Sequence, residues 1–128
     1  MGQKMDLRNS SRKNDENRLE NQRENPPLEW VILRKREGDS FSQGEYAKAF
    51  CSYIDRFYWR SRNGKSDQLH VVMHNSNGDN SRYLYKGVPR SVYDEMWNRA
   101  YFPEDFSREF GSWFAQSIKG EYEYKNYK

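Results

Sequence analysis

Asn77-Gly78 stands between two runs of alternating side chains, LHVVMH (69–74) and SRYLYKGV (81–88), and that arrangement leaves the chain few folds. Asn-Gly readily takes the positive φ angles of a tight hairpin turn. The flanking runs are rich in the β-branched and aromatic residues that suit a pleated surface. The spacing therefore predicts an antiparallel pair. The pair must stop at Gly87-Val88-Pro89, because proline cannot donate to a sheet ladder but fits the first turn of a helix. Beyond that point the period changes. Val92, Tyr93, Met96, Trp97 and Ala100 recur at helical spacing and predict a helix that ends at Phe102-Pro103.

The remaining segments extend this pattern. Pro103-Glu104-Asp105 opens a second helical stretch, with acidic side chains at the positive end of its dipole. Phe106, Phe110, Trp113, Phe114 and Ile118 form its apolar face, and Gly120 stands where a C-cap glycine belongs. EYEYKNY (121–127) alternates as a last strand. Upstream, LEWVILRKR (28–36) reads as a strand. Ser42 and Glu45 make a capping box, and GEYAKAFCSYIDRFYWR (44–60) reads as a helix with Tyr46, Phe50, Tyr53, Ile54 and Phe57 in one stripe. The expected order is β-α-β-β-α-α-β: an α+β domain over residues 27–128, with a small antiparallel sheet and helices packed on one face. Residues 1–26 hold almost nothing to bury. They are expected to form a disordered polar tail, with a polar helix in NRLENQRE, ordered on a partner, as the rival.

Composition bounds the chemistry. The chain has 128 residues, which suits one domain. Its hydrophobic fraction is only 34%, but aromatics reach 16%, so a small core can be built largely from Tyr, Phe and Trp. Cys51 is the single cysteine, which fits a reducing, cytoplasmic setting. No apolar run is long enough to span a bilayer, and the first residues have no signal-peptide pattern. The net charge is +3, and residues 27–66 hold the local surplus, with 8 basic and 5 acidic side chains.

Several short motifs fall in one order between Leu69 and Tyr124. Tyr83-x-Tyr85 is followed by Gly87-Val88-Pro89, then by a helix ending in Ala100. Trp113-Phe114 precedes Ile118-Lys119-Gly120-Glu121-Tyr122. In this order and spacing the stretch 69–124 resembles the KTSC domain, a small module at the C-terminus of some lysyl-tRNA synthetases and alone in small bacterial proteins. The resemblance implies RNA binding. It departs from the family pattern at Glu109, at Ala115 and in the inserted YFPEDFSR.

Two groups of residues point to a binding surface. In DRFYWRSRNGK, Arg56, Arg60, Arg62 and Lys65 interleave with aromatics, of which Trp59 is the stacking candidate. Around the second strand, Tyr83 and Tyr85 are candidates to receive bases, while Arg82, Lys86, Arg90 and Lys119 are candidates for phosphates. Arg82, Leu84 and Lys86 point opposite to the two tyrosines, so a buried tyrosine pair would leave a basic solvent face. His70 and His74 share a strand face but stand roughly 13 Å apart, too far to share one ion; no metal or other cofactor is expected. No nucleophile elbow, phosphate loop or paired-carboxylate motif is present.

The expected function is binding without catalysis, to RNA or another nucleic acid. The alternative is a protein-binding accessory factor, such as a phage-type inhibitor of a host enzyme, because aromatics and arginine anchor interfaces. A small ribonuclease using His70 or His74 beside Tyr83 or Tyr85 is the third reading.

Overall fold

The computed structural model describes residues 17–34, 46–61 and 67–127. Five strands form one antiparallel sheet in chain order: β1 (Val31–Ile32), β2 (Ile54–Ser61), β3 (Asp67–His74), β4 (Asn80–Lys86) and β5 (Tyr124–Tyr127). A short helix, α1, covers residues 17–22. Between β4 and β5 lie α2 (Arg90–Tyr101), a 3-10 turn (Pro103–Asp105) and α3 (Phe110–Phe114), which widens into a π-helical turn (Ala115–Lys119). The fold is α+β, with the helices on one face of the sheet.

The hairpin follows from its turn chemistry. Gly78 takes φ +93°. The Asn77 side chain accepts from the Asp79 amide at 3.0 Å, which tightens the loop between His74 and Asn80. Gly87 takes φ +76° and donates its amide to the Asp67 carbonyl at 2.8 Å. The chain then swings into α2, where Pro89 sits just ahead of the first helical residue. Tyr93, Met96, Trp97, Ala100 and Tyr101 of α2 are buried. They meet Phe57, Trp59, Leu69, Val71, Met73 and Tyr85 from the sheet and Phe110, Trp113 and Phe114 from α3. Aromatic pairs, one edge-on and one stacked, close this layer. Tyr85 meets Phe114 at 5.7 Å and 87°, and Phe57 meets Phe110 at 5.9 Å.

The helix expected over 44–60 is corrected by the structure: its second half is β2, hydrogen-bonded to β1 on one side and β3 on the other. The physical reason is a β-bulge. Ile54 pairs with Met73 and Arg56 with Val72, so Asp55 is an extra residue in the strand. The bulge puts Ile54 and Phe57, three residues apart, on the same face. That spacing imitates a helix although the backbone is extended. Phe50, counted in the same stripe, is 84% exposed. The capping box lies outside the described residues.

Three boundaries also move. β1 holds two residues of the expected 28–36 strand; Ile32 then accepts from the Ala47 amide at 2.7 Å. The second helical stretch splits after the 3-10 turn and resumes at Phe110. At the split, the Arg99 guanidinium lies over Phe106 at 4.3 Å and over Trp113 at 5.1 Å. Finally, residues 17–26 of the expected tail are ordered. Residues 17–26 include α1 and a strap tied to the helical layer, while residues 1–16 lie outside the described residues. Arg23 donates to Asp105 at 2.6 Å and covers the Phe102 ring at 4.2 Å. The Tyr93 hydroxyl donates to the Pro27 carbonyl at 2.6 Å. The polar helix thus orders on its own domain.

Candidate nucleic-acid interface

One sheet face lies under the helices; among the described residues no helix packs on the other, the open face, to which strand alternation directs a second set of side chains. β2 contributes Arg56, Tyr58 and Arg60 to the open face, β3 Gln68, His70, Val72 and His74, β4 Asn80, Arg82, Leu84 and Lys86, and β5 Lys125 and Tyr127. None of these residues is a carboxylate; just before β5, Glu123 continues the register opposite Lys86, whose amide donates to the Glu123 carbonyl at 2.9 Å.

The register arranges them in rows. Tyr58, His70, Leu84 and Lys125 pair across the four strands, and Arg60, Gln68 and Lys86 form the next row. Val72, Arg82 and Tyr127 form the row on the other side. An aromatic ladder starts at the β1 edge, where Trp30 meets Tyr58 edge-on at 4.2 Å. Tyr58 in turn stacks on His70 at 4.6 Å and 9°. Where the ladder ends, a cleft of about 790 Å³ opens over β3 and β4 toward Tyr127, with Arg60 and Arg82 among its walls. Val72 and Leu84 are buried in its floor.

His70 is half-buried, and its Nε2 stands 3.4 Å from Gln68 Oε1. Burial, reinforced by the Arg60 and Arg82 guanidiniums, holds its pKa below the usual imidazole value. The ring is therefore mainly neutral near pH 7. On the opposite face of the sheet, burial pushes the Tyr85 phenol up, aided by Tyr83 and Tyr124.

The expected site residues divide accordingly. Arg60, Arg82 and Lys86 come together on the open face. Arg56 projects there too, but it is 8% exposed and its guanidinium lies 3.5 Å from the Asp55 carboxylate. Tyr83 and Tyr85 do not form the expected platform. Tyr85 is 1% exposed in the core, and Tyr83 is half-buried on the helical side, 6.5 Å from Tyr85 and 5.5 Å from Tyr124. Trp59 is also core, with Nε1 donating to the Val88 carbonyl at 2.7 Å. Strand alternation gives the reason: each of these rings is one residue away from the basic positions and so faces the helices.

Arg90 is occupied by Asp94 at 2.7 Å and by the Pro26 carbonyl, at the start of α2. Lys119 is exposed in the helical layer, after α3. Arg62 and Lys65 lie outside the described residues. The ribonuclease arrangement does not form as expected: His70 pairs with Leu84 and Val71 with Tyr83, so histidines and tyrosines project to opposite faces.

Sequence reasoning missed Trp30, Tyr58, Val72, Leu84, Lys125 and Tyr127 as parts of the surface, and gave His70 a different role. The signal was present in Arg56-Phe57-Tyr58-Trp59-Arg60, where period two separates Arg, Tyr and Arg from Phe and Trp. A helical reading scatters those residues around an axis.

No family model, curated protein or solved structure was found to match this chain. The likeness to the KTSC domain thus rests on its motif residues alone. Among the described residues, no helix is long and apolar enough to cross a membrane.

Proposed function

We propose that this protein binds nucleic acid, RNA by preference, on the open face of its sheet, and that it does so without catalysis. One observation carries the reading: among the described residues the face gathers Arg60, Arg82, Lys86 and Lys125 around the rings of Tyr58, His70 and Tyr127, with Glu123 at its β5 edge as the one acid beside them. Phosphates are positioned by such cations, and bases stack on such rings. The preference for RNA draws on the KTSC-like motifs. The lone buried thiol of Cys51 suits a cytoplasmic setting.

The test is fluorescence anisotropy with a labelled single-stranded RNA over a salt series. Affinity is expected to fall steeply with salt, and Arg60→Ala or Arg82→Ala to reduce the logarithmic slope by about 1 each. Absence of binding at low salt sinks the proposal.

A second reading, a protein-binding accessory factor, is favoured by Phe50. Its ring is 84% exposed, beside a separate cleft that Arg99 and Phe106 help to line. Such an interface would depend little on salt and would be weakened by Phe50→Ala. A pull-down that enriches one protein, together with no RNA binding, would favour it.

A further inference from the structure

We infer that the open-face cleft is a slot for one unpaired base of a single strand, held between the rings of His70 and Tyr127. This rests on the nucleic-acid reading above and narrows it. His70 ends the aromatic ladder: one side of its ring is taken by Tyr58, and the cleft lies beyond. Tyr127 closes the far wall, with the Lys125 ammonium 5.2 Å from its ring centroid. The two rings project from β3 and β5, two strand spacings or roughly 9–10 Å apart laterally. Tyr127 sits one pairing row, or about 6.6 Å, further along, so the two anchor points stand about 12 Å apart on an oblique line and the side chains must lean inward to close on a base. A flat ring stacked on both sides takes about 7–8 Å at ordinary carbon contact distances. The slot therefore has room for one base.

The floor and ends fit the same occupant. Val72 and Leu84 offer an apolar floor, while Arg60 and Arg82 stand in the rows on either side of His70. A strand crossing the sheet would place one base in the slot and its flanking phosphates near the two guanidiniums. A duplex cannot use this geometry, because its bases are already stacked on one another and their faces are not available. The acid nearest this face among the described residues, Glu123, stands across from Lys86 and does not line the cleft.

The experiment uses the full chain and three labelled probes at low salt: a short RNA strand that is abasic except at one position, the same strand fully abasic, and an RNA duplex of equal charge. DNA counterparts test whether the slot depends on the 2′-hydroxyl. The strand with one base is expected to bind about tenfold tighter than its abasic partner, as one stacked base contributes. Tyr127→Ala should remove that difference and leave the salt slope unchanged, and Tyr127→Phe should restore it. Tyr127 is 39% exposed at the sheet edge, so neither change threatens the core. If both strands bind equally with a steep salt slope, or the duplex binds as well as the single base, the slot is wrong and the electrostatic reading stands. If no probe binds, both fail.

Discussion

His70 shows how one side chain links fold stability to binding. Its ring is covered by Tyr58 on one side, and Arg60 and Arg82 stand nearby, so its proton is held less tightly than in an unfolded chain. The ordinary value is 6.5 and the folded value lies below it. Between those two values the unfolded chain binds a proton that the folded chain does not. This contribution to stability is whole above pH 6.5 and is lost as pH falls through the folded value. Urea denaturation from about pH 7.5 to about pH 5.5 should show a smaller loss of stability in His70→Gln than in the wild type. Bound phosphate reverses the local balance, because an anion favours the protonated ring. Affinity for an oligouridylate, whose bases do not titrate in this window, should therefore rise as pH falls below 6.5. His70→Gln should show a smaller rise over the same range.

The turn into α2 and the bulge in β2 explain what could be read from the sequence. Gly87 is the joint between sheet and roof. A Cβ there would meet no atom within 4 Å, so any cost of Gly87→Ala comes from φ +76° and not from crowding. A left-handed conformation costs a non-glycine residue about 1–2 kcal/mol. Gly87→Ala should destabilise by that amount in chemical denaturation, and Gly87→Asn by less, since asparagine visits this region more easily. Wild-type stability in the alanine variant would show that the turn can re-form at negative φ. This joint was legible because Gly-Val-Pro permits few other geometries, and α2 was legible because Tyr93, Met96 and Trp97 keep strict helical spacing. β2 was not legible. The extra residue Asp55 shifts the alternation by one, and pairing with β1 and β3 decides the backbone that local spacing left ambiguous. The surface suffered from the same error: its residue types could be read, but Tyr58 could not be told from Trp59 without knowing which face each occupies.

Taken together, the two layers separate functions that net charge alone would blur. A surplus of +3 over 128 residues is a weak field for attracting a polyanion. Among the described residues the sheet concentrates cations on one face, where Glu123 at the β5 edge is the one nearby acid, while the helical layer mixes signs. There Arg23 is bound to Asp105, Arg90 to Asp94 and Arg99 to Glu95. Those arginines hold the strap and the helices together, and their charges are already balanced by neighbours. Lys119 belongs to this second layer, in the turn after α3. Lys119→Ala and Arg82→Ala change the net charge equally, so a binding mode governed by total charge must respond to both alike. A mode governed by the open face must respond to Arg82 alone. The expected result is a salt slope lowered by about 1 in Arg82→Ala and unchanged in Lys119→Ala. Equal effects from the two variants would mean that nucleic acid is held by the whole surface and that the cation-rich face has no special part in it.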